Sequence, residues 1–142
     1  MERSEVVAFL KQQKFGVISS VGPDGEPHSA VVGVAFTEDG DAVFDTLGSS
    51  RKAIDLRRDP RASLVVWEGE RTVQMDGRVD EPAGTERDAV LKAYLAVFPD
   101  GMERLQWEGI THFRFRARWA RYSDFGRTPE RIVELLTGLR GR

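Results

Sequence analysis

Val43-Phe44-Asp45-Thr46-Leu47-Gly48-Ser49-Ser50-Arg51-Lys52 changes character halfway along. Its first half carries the β-branched and aromatic residues of a strand. Gly48 and Ser49 interrupt it. Residues 50–58, Ser50-Arg51-Lys52-Ala53-Ile54-Asp55-Leu56-Arg57-Arg58, then read as a short helix with Ile54 and Leu56 facing inward. Pro60 stops that helix, because the residue before a proline avoids helical backbone. A helix start carries N–H groups without partners and the positive end of the helix dipole. Ser49 and Ser50 add hydroxyls, Arg51 a planar fork and Lys52 a point charge. Such a group suits a phosphate dianion. It is also the make-up of an ordinary solvated helix start with serine as N-cap, and the residue types leave both readings open.

Upstream, residues 4–13 predict a helix capped by Ser4, with Val6, Val7, Phe9 and Leu10 as its apolar stripe. Strand formers follow at 15–21. Gly22-Pro23-Asp24-Gly25 is a turn with a mechanism, since proline presets φ and glycine tolerates positive φ. A strand from His28 to Phe36, a turn at 37–41 and a strand at 42–47 complete an antiparallel meander. Downstream, 61–67 and 72–80 predict a hairpin across Glu68-Gly69-Glu70-Arg71. In its second arm Gln74 could bond a heterocycle edge or simply face solvent, and Gly77 marks a bulge or a close backbone approach. Residues 85–97 read as a helix. Residues 110–118 alternate, with Phe113, Phe115 and Ala117 on one face and His112, Arg114, Arg116 and Arg118 on the other. Residues 129–136 read as a last helical turn or two, or a tail packed on a partner. With no repeat or linker, the expectation is a single domain over residues 1–142. It is mainly β with short helices, a closed or half-closed small barrel.

The 142 residues and 40% hydrophobic content suffice for one core. The absence of cysteine excludes disulfides, thiolate metal sites and a cysteine nucleophile. The two histidines, His28 and His112, stand in no metal-binding spacing, so no metal is expected, and His28 beside Pro27 reads as a turn-end residue. No stretch approaches the roughly 20 apolar residues of a membrane span, and Met1-Glu2-Arg3-Ser4-Glu5 has no signal character. A cytoplasmic protein without a membrane partner is expected. A net charge of −2 argues against nucleic acid held by bulk charge. No nucleophile elbow, P-loop or dinucleotide fingerprint is present. Catalytic residues are therefore unknown, and any redox step must come from a bound cofactor.

In order along the chain, five segments resemble the pyridoxamine 5′-phosphate oxidase-like, FMN-binding split-barrel family. They are the Gly22–Pro27 turn, the segment ending in Ser50-Arg51-Lys52, Leu56-Arg57-Arg58-Asp59-Pro60-Arg61, Val73-Gln74-Met75-Asp76-Gly77, and Trp119-Ala120-Arg121-Tyr122-Ser123-Asp124-Phe125. The resemblance implies a Greek-key split barrel and a homodimer with FMN at the subunit interface, acting as an oxidoreductase on a small substrate. It implies that Arg51, Lys52 and Ser50 hold the FMN phosphate. Thr46 and the backbone of Val31, Val32 and Gly33 would lie along the ring and ribityl chain. Gln74 would reach a ring edge, and Trp107 would approach from the partner subunit. Two departures stand against pyridoxamine phosphate as the substrate. Ala30 and Ala35 occupy positions where true oxidases carry basic residues, and no C-terminal Arg-x-His pair follows. A deazaflavin (F-420) reductase is an alternative, its anionic tail served by the arginines at 57, 58, 114, 116 and 118. A non-catalytic flavin- or haem-binding stress protein is another.

Overall fold

The computed structural model describes residues 2–139. Eight strands and four helices follow one another as α1 (Glu2–Lys11), β1 (Phe15–Val21), β2 (Pro27–Gly33), β3 (Ala35–Phe36), β4 (Ala42–Leu47), α2 (Arg51–Arg58), β5 (Arg61–Glu68), β6 (Arg71–Asp80), α3 (Gly84–Val97), α4 (Gly101–Arg104), β7 (Ile110–Asp124) and β8 (Arg131–Leu135). All strand pairs are antiparallel, in the order β2-β1-β5-β6-β7-β4-β3, with β8 added to β7. The sheet curls until β2 and β4 approach each other, yet no ladder joins them among the described residues. The architecture is mainly β, a split barrel. None of the described helices is long and apolar enough to cross a membrane.

Alternation builds the core. In β7, Phe113 and Phe115 point inward, and Phe113 stacks on its cross-strand partner Phe44 with centroids 5.7 Å apart. Ile18, Leu64, Val66, Val73 and Met75 fill the same interior. α1 covers one mouth with Val6, Phe9 and Leu10, each contributing about 1.5–3 kcal/mol by burial. α3 lies outside the barrel, where Val90 and Tyr94 pack on Ala35 and Val43.

Four expectations are corrected. Ser4 lies within α1, which starts earlier, so it is not the cap. The strand expected from 28 to 36 is divided after Gly33, with Val34 standing between β2 and β3. Leu56 faces inward as expected, beside Ala53, but Ile54 is 53% exposed. The 129–136 segment contains no helix. Residues 131–135 form β8, which pairs with residues 120–124 of β7 and buries Val133. Conversely, the bulge expected at Gly77 is present. The register of β6 on β7 shifts between Asp76 and Gly77, and a Cβ on Gly77 would stand 2.1 Å from the Arg116 carbonyl oxygen.

Candidate functional site

The site begins with a hairpin that fails to close. β3 and β4 pair only at Ala35↔Val43 and Phe36↔Ala42, after which β2 and β4 splay apart. β2 ends the sheet, so one of its edges is open. In an antiparallel pair, residues alternately exchange both backbone bonds with the neighbour or direct them away. The bonds Gly22 N–H to Glu26 O and Val34 N–H to Lys14 O set the phase. In that phase His28, Ala30 and Val32 bond to β1, while the amides of Ser29, Val31 and Gly33 point to the open edge. Of the three backbone positions expected to serve a ligand, 31 and 33 face the split. Val32 is 6% exposed and belongs to the core.

α2 crosses from β4 to β5 and packs on β1 and β2. Ser50 is its N-cap, with Oγ accepting from Ala53 N–H at 3.2 Å. Ser50 Oγ and Thr46 Oγ1 share a hydrogen bond of 2.9 Å, and Lys52 Nζ donates to Thr46 Oγ1 at 3.3 Å. The structure thus gathers Thr46, Ser50 and Lys52 into one cluster. Ser50 N–H is taken by Leu47 O, and Ile54 N–H by Ser50 O. Among the described residues, that leaves the N–H groups of Arg51 and Lys52 as the unclaimed donors of the first turn. Neither Arg51 nor Lys52 has a carboxylate within 4 Å among the described residues. Both line a cavity of about 90 Å³ with Ile18, Ser20, His28 and Ala30. Ala30 contributes only a methyl group, so the cavity occupies the space a longer side chain would fill.

Beside this cavity lies a network that sequence reasoning missed. Asp55, on the inner face of α2, is 1% exposed. It accepts from Ser20 Oγ (2.9 Å), His28 Nδ1 (2.6 Å) and Arg58 Nη2 (3.0 Å). Burial pushes its carboxyl upward, but the hydrogen bonds from His28, Ser20 and Arg58 outweigh that and hold it below its ordinary value. An acceptor-only carboxylate fixes the ring proton on Nδ1 of His28. Nε2 then lies 3.6 Å from Glu26. His28 is therefore a wall of the cavity tied to α2. The signal available in the sequence was a carboxylate between Ala53 and Leu56, on the helix face that must be buried.

Two expected residues lie elsewhere. Gln74 sits on the outward face of β6, opposite Val65 and Arg121. It lies three strands from β2, roughly 14 Å across the sheet. Trp107 lies between α4 and β7, 54% exposed. Its loop touches the cluster's own loop, because Gly48 N–H bonds Gly109 O at 2.7 Å.

On the other face of β4, Asp45 meets Arg104 Nε at 2.6 Å, and Arg104 also donates to Tyr94 Oη at 3.1 Å. Burial, with the nearby Asp45 charge, pushes the Tyr94 phenol up to about 12. His112, opposite Asp45 and 2% exposed, packs edge-on against Tyr94, and neither ring nitrogen has a hydrogen-bond partner among the described residues. Burial pushes its pKa down.

The pyridoxamine 5′-phosphate oxidase family model matches residues 3–116. A pyridoxine/pyridoxamine 5′-phosphate oxidase of Cupriavidus pinatubonensis is 34% identical over 104 residues, which are 72% of this chain and 47% of that protein. The chain thus spans about half the length of such relatives. A haem-binding protein of Mycobacterium smegmatis superposes with TM-score 0.78 at 19% identity, covering 94% of this chain and 56% of that one. A pyridoxamine 5′-phosphate oxidase-related, FMN-binding protein of Nostoc punctiforme superposes with TM-score 0.65 at 13% identity, covering 92% and 84%. A split antiparallel sheet, together with a family match over residues 3–116, makes this chain a member of the pyridoxamine 5′-phosphate oxidase family.

Proposed function

We propose that this chain is an FMN-binding oxidoreductase acting on a small molecule other than pyridoxamine phosphate, with the cofactor in the split between β2 and β4. One observation carries the reading. Among the described residues, two unclaimed N–H groups and two cations without a carboxylate within 4 Å converge at the mouth of an open strand edge. Arg51 and Lys52 would hold the phosphate, with Ser50 and Thr46 fixing the Lys52 ammonium. The edge amides of Val31 and Gly33 are donors for a ring lying along β2. When bound, FMN would supply hydride-transfer chemistry; the protein supplies binding, orientation and exclusion of water. Ala35 is fully buried under α3 beside Val43 and Val90, which counts against a substrate contact there.

A second copy of the chain is part of this reading. The outward face of β1, β2 and β5 presents Phe15 (59% exposed), Val31 (69%) and Trp67 (49%), an apolar surface suited to a two-fold interface. Gln74 and Trp107 would then serve the cofactor across that interface. A cytoplasmic location fits the same reading. A haem reading is less well supported: His28 is held by Asp55, and His112 is enclosed under α3. Of the five arginines offered to a deazaflavin tail, those at 57, 58, 114 and 116 are already ion-paired, which favours FMN. The test is the absorption spectrum of the purified protein with comparative titration of FMN and the deazaflavin. Flavin absorption with selective FMN uptake is expected; failure to take up FMN overturns the assignment.

A further inference from the structure

Among the described residues eight arginines have a carboxylate within 4 Å: Arg57, Arg58, Arg61, Arg71, Arg104, Arg114, Arg116 and Arg131. To one that is paired, the outer face of β5, β6 and β7 adds arginines that no carboxylate among these residues answers. Arg61 and Arg78 stand directly opposite each other on neighbouring strands. Like charges in that relation destabilise a sheet. Beside them, Asp76 pairs with Trp119 and Gly77 with Ala117, so Arg118 is the extra residue that the bulge leaves without a partner on β6. A bulge re-aims the side chain it extrudes. The backbone contact that makes this one depends on Gly77, whose missing Cβ admits the Arg116 carbonyl. Asp59 takes Arg61 at 2.7 Å, but Arg78 and Arg118 have no carboxylate within 4 Å among the described residues.

The three arginines line one cavity of about 440 Å³ with Ser19, Ser63 and Asp76. Planar guanidinium forks and serine hydroxyls form a donor set matched to phosphate oxygens. We infer that this groove is a second anion site, taking the phosphate or diphosphate group of a small molecule. An anion there would turn the opposed Arg61–Arg78 pair from a repulsion into a clamp. The groove shares Ser20 with the cavity at the start of α2, and Ser19 Oγ bonds Ser29 Oγ on β2 at 3.0 Å. Its occupant would therefore lie beside the cofactor. That last placement rests on the FMN reading, whereas the anion site itself does not.

The test uses the full chain and inorganic pyrophosphate at low ionic strength, followed by calorimetry. In an Arg51→Ala/Lys52→Ala background, which disables the α2 cleft, pyrophosphate binding should persist. Adding Arg78→Gln and Arg118→Gln should weaken it about tenfold or more. In the otherwise native chain, Arg78→Gln/Arg118→Gln should leave FMN affinity within about twofold and thermal stability equal or higher, since the opposed charges are relieved. Unchanged pyrophosphate affinity in the four-residue variant overturns the inference. So does a marked drop in the melting temperature of Arg78→Gln/Arg118→Gln, which would make these arginines structural. A changed sedimentation coefficient in that variant would assign them to contact between copies and overturn the inference as well. Failure of FMN to bind any form refutes the cofactor reading without touching the pyrophosphate result.

Discussion

The two faces of β4 carry charge in opposite ways. Towards α3, Asp45, Arg104, Tyr94, Asp80, Glu86 and Arg114 answer one another at 2.5–3.1 Å. Towards α2, Arg51 and Lys52 gather around hydroxyls and a small cavity, with no carboxylate within 4 Å of either among the described residues. Charge satisfied within the chain holds elements together. Charge left unsatisfied at a concave opening is available to something else. The comparison predicts that substitutions on the α2 side will change binding while stability holds, and that those on the α3 side will do the reverse.

The largest expected effect is on the α2 side. Arg51→Ala/Lys52→Ala should lower FMN affinity about a hundredfold, the loss of two charge-assisted hydrogen bonds, with an unchanged urea midpoint. Equal affinity in a flavin fluorescence titration would break the comparison. Next is Arg104→Ala, which strands Asp45 and the Tyr94 hydroxyl in a partly buried setting. A loss of about 2 kcal/mol in urea unfolding is expected, with FMN affinity retained. A variant that lost the flavin but kept its stability would reverse the two roles.

A smaller effect follows from His112. Its pKa is depressed in the fold, so the unfolded chain binds the proton more readily. Stability should therefore fall as pH drops below about 6.5, by up to about 1.4 kcal/mol per pH unit. Asp55, also depressed, adds its own loss only as pH falls below about 3.8. His112→Phe should flatten the first window and leave the second; an unaltered acid profile would show that His112 is not responsible. Smallest is Arg57→Ala, which removes a solvent-facing pair with Glu81. About 0.2–1 kcal/mol is expected from a thermal melt, and a larger loss would mean that rim pairs count as much as enclosed ones.

What could be read from residue order was what depends on near neighbours. The strand at 15–21 and its Gly-Pro-Asp-Gly turn were legible because turn chemistry is local. So was Ser50, whose capping bond spans three residues. Gly77 announced its bulge because a glycine inside a strand needs a backbone reason. β8 was not legible: Pro129-Glu130-Arg131 resembles a helix start, and only the edge of β7, present once the barrel is formed, makes 131–135 a strand. The His28–Asp55 link was hidden for the same cause. It requires the register that sets Ser20 opposite His28, and then α2 laid across both strands. Gln74 and Val31 could be named as site candidates, but the three-strand separation between β6 and β2 could not be read without the sheet order.

The open edge of β2 has a consequence for handling the protein. Backbone amides at 29, 31 and 33 that point away from the sheet can template an extended segment of another molecule as readily as they can serve a ring. Arg51 and Lys52 at that edge then act as gatekeepers, because two copies approaching edge to edge bring like charges together. Salt that screens them, or neutral substitutions that remove them, would lower this barrier to strand-mediated clumping, and an occupied cleft would raise it.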